Sequence, residues 1–244
     1  MNPTATSDPT EARAGDAVAA ARAATLAHAL AHVPFDGWSD RTLAAAVEDA
    51  GVDPALARLA FPRGGVDLAL AWHDGKDAEL AARLAAEDLR GLRFRDRIAH
   101  AIALRLEIVA DDRDAVRRAT ALFALPTHAA DGARALWRTA DTIWTALGDT
   151  STDASWYTKR ATLSAVWSSC LLYWLGDRTP GAAATREFIH RRIDNVMAFE
   201  EFKARVRRNP LAAKLLDAPS RVLDRIRGAD HTRRPDLPGR LRRD

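Results

Sequence analysis

Glu187 and His190 lie three residues apart in a stretch of helical periodicity, the E-x-x-H spacing that sets a carboxylate and an imidazole on one helical face where they can grip a metal ion. A di-iron bundle needs two such motifs plus two more carboxylates on facing helices, and this chain has a single copy. Glu187 therefore reads as a solvated partner for Arg191 one turn further on. His28 and His32 are also one turn apart, yet no H-E-x-x-H frame surrounds them and no third ligand can be named. Cys170, the single cysteine, sits between Ser169 and Leu171 with no base nearby to lower its pKa, so it packs rather than attacks. It cannot form an internal disulfide, which fits a reducing cytoplasm. No G-x-S-x-G elbow, P-loop or G-x-G-x-x-G after a strand occurs, and Gly64-Gly65 reads as part of a Pro-Arg loop. The expectation is a protein with no catalytic residues, no metal and no cofactor.

The aromatic residues are more informative. Of seven tryptophans, Trp137, Trp144, Trp156, Trp167 and Trp174 fall in two consecutive helical stretches. The spacing of seven within Trp137/Trp144 and within Trp167/Trp174 places each pair on one helical face. Together with Leu171 they are candidates to line a lipid-holding cavity, and simple core packing is the competing reading. Asp153, Trp156, Tyr157 and Arg160 follow the i, i+3, i+4, i+7 pattern, so one face presents two large aromatics between an acid and a base, the composition of an interface hot spot.

Charge separates along the chain. Residues 1–200 carry 23 bases against 27 acids and residues 201–244 carry 13 against 6, so the overall +3 comes from the C-terminal end. There, Leu211, Leu215, Leu216, Val222, Leu223 and Ile226 form an apolar set beside Lys214, Arg221 and Arg225, interrupted by Pro219. A basic amphipathic helix of this kind lies in a membrane interface, each base adding about 1 kcal/mol near anionic lipid. Asp8 and Glu11 stand where a secretory signal would be basic, so the N-terminus reads as uncleaved. The most apolar run, Ala161 to Leu175, contains Thr162, Ser164, Ser168 and Ser169 and falls short of the roughly 20 apolar residues a membrane span needs.

Apolar residues recur at helical spacing throughout, with Gly and Pro between the periodic segments, so the fold class is all-α, a bundle of about nine to ten helices. The first helix covers Glu11 to Val33 with Ala23, Leu26, Ala27, Leu30 and Val33 inward. A short second helix buries Leu43, Ala46, Val47 and Ala50 and stops at Gly51. Asp53 caps a third, with Pro54 at its first position, closing at Phe61 and Pro62. Further helices cover Val66–Asp88, Arg95–Ala110, Asp114–Leu125, Ala129–Leu147, a stretch capped by Thr152 or Asp153 and running to Leu175, and one opened by Thr179-Pro180 and running to about Arg208. In domain terms, residues 1–10 are a flexible N-terminus, 11–208 a helical domain, 209–228 the amphipathic helix and 229–244 a disordered basic tail.

The helix pair within residues 36–62 has helix-turn-helix spacing and resembles the N-terminal part of TetR-type repressors. A reading head needs donors for phosphates and bases, yet the third helix offers Arg58 alone, and residues 36–60 hold five acids against two arginines. This is a degenerate reading head, and no nucleic-acid partner is expected. A TetR-type regulator with a lipid effector is the alternative function.

Several longer blocks resemble the Coq-nine family of ubiquinone synthesis: His32-Val-Pro-Phe-Asp-Gly-Trp-Ser39, Phe61-Pro-Arg-Gly64 with Asp67-Leu68, Gly148-Asp-Thr-Ser-Thr-Asp153, Trp156-Tyr-Thr-Lys-Arg-Ala161, and Arg191-Arg-Ile-Asp-Asn-Val-Met197. They extend over about residues 22 to 203. Ala154-Ser155 stands where an Asn beside the Trp is usual, and Trp167-Ser-Ser-Cys170 replaces a Tyr-containing stretch. The resemblance implies a TetR-like fold that has lost DNA binding and holds an isoprenoid lipid. It also implies a di-iron quinone hydroxylase as partner, contacted by Trp156, Tyr157 and Arg160 with Asp153 preceding, and a membrane-engaging C-terminal helix. The expected protein is a non-catalytic carrier, cytoplasmic and peripherally associated with the inner membrane, presenting quinone precursors to that hydroxylase; a homodimer is expected by analogy with TetR-like folds.

Overall fold

The computed structural model describes residues 9–152 and 154–208. Two compact units are present, residues 1–193 and residues 194–244. The elements are α1 (Pro9–Asp36), α2 (Asp40–Asp49), α3 (Pro54–Ala60), α4 (Gly65–Ala86), α5 (Phe94–Glu107), α6 (Arg113–Phe123), α7 (Ala129–Ala146), α8 (Ala154–Gly176), a 3-10 turn at Pro180–Ala182 and α9 (Ala183–Arg208). No strand occurs among the described residues, and the chain is all-α as its periodicity predicts. Asp153 and every residue of the expected membrane helix, Leu211 to Ile226, lie outside the described residues.

The helix ends follow local chemistry. Asp53 Oδ1 accepts the Ala55 N–H at 2.6 Å and Pro54 takes the first helical position of α3, as the sequence predicts. Ser39 caps α2 by accepting the Thr42 N–H at 3.2 Å. Two expectations are corrected. α1 runs through Pro34 to Asp36, because Gly37, at φ +68°, closes the last turn by donating to the Val33 carbonyl at 2.9 Å. Its buried stripe is Ala21, Thr25, Ala29 and Val33, while Ala23 and Ala27 face solvent. Alanine occupies nearly every side of this helix, so periodicity alone does not orient it, and the Thr25 hydroxyl is accommodated in the stripe by donating to the Ala21 carbonyl at 2.8 Å.

α4 is the central element of residues 1–193, burying Val66, Leu68, Leu70, Trp72, Leu80 and Leu84 together with their alanine neighbours. It packs on α1, α2, α5 and α7, and α8 packs on α7 and α5. Side chains such as Leu68, Leu80, Ile102, Ile143 and Ile189 are fully buried, each worth roughly 1.5–3 kcal/mol relative to exposure. Trp38, just after α1, packs its ring 5.2 Å from that of Trp72 and donates its indole N–H to the Ala115 carbonyl at 2.9 Å, fastening α6 beside α1 and α4.

The Gly64-Gly65 pair has a structural cause. The Gly65 N–H donates to Asp40 Oδ1 at 2.9 Å, and α4 begins so close to α2 that a Cβ on Gly65 would lie 2.5 Å from the Ser39 carbonyl carbon. Gly75, within the same helix, is exposed with nothing within 4 Å of its Cβ position. Opposite outcomes are therefore expected in thermal or urea unfolding. Gly65→Ala destabilises by about 1–3 kcal/mol through overpacking against backbone, and Gly75→Ala stabilises by roughly 0.5–1 kcal/mol through helix propensity.

Candidate functional site

Two features stand out in residues 1–193. The first is a half-open cavity of about 420 Å³ lined by residues of α4 to α8. Its walls are largely small or apolar: Val109, Val116, Ala119, Phe123, Leu136, Trp167 and Leu171 among them. Trp167 and Leu171 thus line it, whereas Trp137, Trp144 and Trp174 lie elsewhere. Trp174 is buried under the Arg113 guanidinium, 4.6 Å from its ring.

Polar groups gather on one side of this cavity. Asp77 from α4 accepts from Arg105 Nε of α5 at 2.8 Å and from the Thr139 hydroxyl of α7 at 3.0 Å, and His73 Nε2 lies 3.3 Å away. Burial alone would raise the Asp77 carboxyl, but the hydrogen bonds and charges of His73 and Arg105 outweigh it and hold the group below the ordinary carboxylate range. Both His73 and Arg105 line the cavity. The sequence reading did not single out these residues. Positions 73, 77, 105 and 139 are scattered along the chain, and only the i, i+4 spacing of His73 and Asp77 hinted at the pair.

The second feature is the aromatic face where α7 meets α8. Trp156 packs against Tyr157 edge-on, ring centroids 4.8 Å apart, and Trp137 approaches both, at 5.8 and 6.4 Å. Tyr157 is 65% exposed, while Trp156 and Trp137 are half-buried. Trp144 sits apart, 5.4 Å from Phe94, and donates its indole N–H to the Lys159 carbonyl at 3.2 Å.

Arg160 lies beneath this face rather than on it. Only 2% exposed, it stacks 4.0 Å from the Trp156 ring and donates to Asp141 at 2.5 Å and to Asp149 at 3.0 Å. Asp149 is the hub of the loop between the helices, accepting also from Lys159 Nζ and the Ser151 hydroxyl, each at 2.7 Å. These donors, Lys159 first and then Ser151, outweigh the opposing effect of desolvation and hold the Asp149 carboxyl well below its ordinary value. Asp149 and Asp141 were not assigned from sequence, although the short polar run around Ser151 is a signal for a side-chain-stapled turn.

Of the histidine pairs, His28 bonds the Ala24 carbonyl at 3.0 Å and His32 bonds Asp49 at 2.6 Å. Glu187 is exposed and pairs with Arg191 at 3.7 Å, as the i+4 spacing predicts. The opening of α9 is capped more elaborately than by Thr179 alone. Asp177 accepts from the backbone N–H groups of Thr179 and Thr185, both at 2.8 Å, and from both hydroxyls.

The low folded-state pKa of Asp149 sets a sign for pH dependence. Its stabilisation is complete above the unfolded value of about 4 and is lost as pH falls through the lower folded value. Asp149→Asn is expected to lower the melting temperature at neutral pH, with the gap from wild type closing progressively below pH about 4. Melting curves followed by circular dichroism across pH check both the sign and the window.

The COQ9 family model matches residues 129–200, spanning α7, α8 and most of α9. The Drosophila melanogaster mitochondrial ubiquinone biosynthesis protein COQ9 is 32% identical over 187 residues, covering 75% of this chain and 57% of its own. The Xenopus tropicalis protein of the same name is 29% identical over 179 residues, covering 70% and 56%. The Homo sapiens protein is 27% identical over 182 residues, with the same coverages of 70% and 56%. This chain thus spans somewhat more than half the length of those relatives. A solved TetR transcriptional regulator from Nitrosomonas europaea superposes with a TM-score of 0.55 at 21% identity, covering 71% of this chain and 95% of that one, so the fold is TetR-like. With the aromatic face and the cavity both built from helices that the family model spans in part, the chain belongs to the COQ9 family.

Proposed function

We propose that this protein is a non-catalytic accessory factor of ubiquinone biosynthesis that holds the isoprenoid part of a quinone precursor in its cavity and presents it to a di-iron ring hydroxylase docked on the aromatic face. The observation that carries this reading is the apolar cavity of about 420 Å³ between α4 and α8 in a chain of the COQ9 family. An isoprenoid tail cannot cross water unaided, since each exposed CH₂ costs roughly 0.8 kcal/mol, so a carrier must offer an apolar wall in place of the bilayer. No described helix is long and apolar enough to cross a membrane. The basic amphipathic segment, with Leu211, Leu215, Leu216, Val222, Leu223 and Ile226 beside Lys214, Arg221 and Arg225, supplies attraction to an anionic membrane surface.

The aromatic face suits a docking role because its rings are held from below. Arg160 and Asp149 fix Trp156, and Tyr157 stands out where a partner reaches it. α3, by contrast, has Arg58 as its single base and an exposed Leu59 beside it, a poor match for a phosphate backbone. By analogy with TetR-like folds, the protein pairs with a second copy of itself.

Two measurements test the reading. Protein purified without detergent from a quinone-producing host is expected to yield isoprenoid quinones or precursors on solvent extraction and mass spectrometry, and Leu171→Trp, which fills the cavity, is expected to lose them; wild type free of lipid would count against a carrier. Tyr157→Ala is expected to weaken binding to the hydroxylase by at least about tenfold, the loss of an aromatic hot spot, with lipid content unchanged. Calorimetric titration of the two proteins reads this, and unaltered affinity would move the docking face elsewhere.

A further inference from the structure

The loop between α4 and α5 shows large apolar side chains to water, and it does so in a fixed conformation. It reads Glu87-Asp-Leu-Arg-Gly-Leu-Arg-Phe-Arg-Asp-Arg97, with arginines set between the apolar residues. Leu92 and Phe94 are 42% and 45% exposed. The tip is braced by its own polar groups. Arg97 donates from Nε to the Leu92 carbonyl at 2.9 Å and from Nη2 to the Arg90 carbonyl at 3.2 Å, and the Leu92 N–H donates to the Leu89 carbonyl at 3.1 Å. Phe94 packs its ring 5.4 Å from that of the half-buried Trp144, which in turn lies 5.2 Å from Lys159 Nζ. Arg90, Arg97, Leu89 and Leu147 line one depression beside the tip, so the loop and the end of α7 form a single surface.

The charges of this surface are exchangeable. Residues 87–97 carry four arginines against three acids, and Arg90 pairs with Asp88 at 2.9 Å, Arg93 with Asp96 at 2.7 Å and Glu87 with His100. In both arginine pairs the guanidinium is the more exposed partner. Exposed pairs of this kind contribute little in water, so the guanidinium groups are available to a phosphate oxygen that approaches from outside. The Asp96 carboxyl is held below its ordinary range by Arg93 first, then by Arg95 and by His190 of α9. The last helix thus passes this end of residues 1–193 before the chain continues into its basic C-terminal part.

We propose that the α4–α5 loop is a second membrane contact, which sets Leu92 and Phe94 into the interface of an anionic bilayer with Arg90, Arg93 and Arg95 on the lipid phosphates. The inference rests on the carrier reading above and adds to its C-terminal segment an element within residues 1–193. Composition decides between a bilayer and a docked protein. The core of a protein interface is depleted of charge, whereas here Phe94 stands between Arg93 and Arg95 and Leu92 stands beside Arg93. A bilayer interface accepts that mixture, because arginine stems lie along apolar surface while their heads stay at the phosphates, and half-buried aromatics such as Trp144 suit the same depth. The placement also serves the carrier. Trp144 donates its indole N–H to the carbonyl of Lys159, two residues from Tyr157, so a loop resting on lipid brings the aromatic face to the bilayer surface.

Spin labelling of the full chain tests this, with a nitroxide at Leu92→Cys and a control at Arg41→Cys; Cys170 is fully buried and takes no label. Asp40, next to the control position, meets Gly65 at the start of α4, and the loop follows the other end of that helix, about 30 Å away at 1.5 Å of rise per residue. On vesicles of equal parts phosphatidylcholine and phosphatidylglycerol, the label at 92 is expected to gain collisions with dissolved oxygen and lose collisions with a water-soluble nickel chelate. The label at 41 is expected to keep its solution values. In co-sedimentation with the same vesicles, the double variant Leu92→Ser, Phe94→Ser is expected to bind about tenfold more weakly than wild type with an unchanged melting temperature, the worth of two half-exposed apolar side chains leaving water. A label at 92 that stays in water on vesicles carrying the protein would overturn the loop contact and leave the carrier reading, with its C-terminal segment, standing. So would immersion seen only once the hydroxylase is added, which would assign the loop to a protein partner. Equal immersion on phosphatidylcholine alone would overturn the part given to the arginines. Failure of wild type to bind any vesicle would overturn both the loop contact and the membrane docking of the carrier.

Discussion

The arrangement of α4, α5 and α7 depends on one buried carboxylate. Asp77 accepts from Arg105 and Thr139 and faces His73, at 2.8, 3.0 and 3.3 Å. In water such bonds would be worth little. Inside, removal of one partner leaves a buried charge unanswered, at a cost of about 3–5 kcal/mol. The cluster therefore sets helix register in a way that alanine and leucine contacts, which tolerate sliding, do not. The cavity lies beside this junction, with His73 and Arg105 in its wall.

The aromatic face obeys the same logic with the charge placed under a ring. Arg160 reaches Asp141 of α7 and Asp149 of the loop, so the first turns of α8 are fastened to the end of α7 through a cation that also supports Trp156. A docking surface built from large aromatics on a single helix would lose rotamer freedom on binding. Here that freedom is already spent on folding for Trp156 and Trp137, while Tyr157 stands exposed.

Much of this architecture was legible in the chain because helix termini are local chemistry. Asp53-Pro54, Gly37 and Gly51 announce their turns within a few residues, whereas the i, i+3, i+4, i+7 pattern that put Arg160 on one face with Trp156 and Tyr157 did not show that Arg160 is buried beneath the exposed Tyr157. What periodicity could not assign was depth. Trp137 and Trp144 share one face of α7, as their spacing of seven requires, yet one joins the aromatic cluster and the other meets Phe94. Arg160 reads as an interface cation until Asp149 and Asp141 are seen to enclose it. The cavity's polar wall was invisible for a related reason. Its members come from three helices, and no local pattern marks an arginine 28 residues from its carboxylate as buried.

The existence of the cavity follows from composition as much as from topology. Its α6 and α7 walls use Ala119, Ala124, Ala129, Gly132, Ala133 and Ala135, side chains too short to fill the space between helix axes. Such helices would ordinarily approach until their backbones touched. Larger side chains also line the cavity: Phe123, against which a Cβ on Gly132 would lie at 2.7 Å, and Trp72 and Trp167 from α4 and α8. Small side chains line much of the space, and the Asp77 junction ties α4, α5 and α7 beside it. The space is thus a property of the folded state, held open at the expense of packing density that a solid core would have provided. That expense is the physical reason to look for a ligand in it.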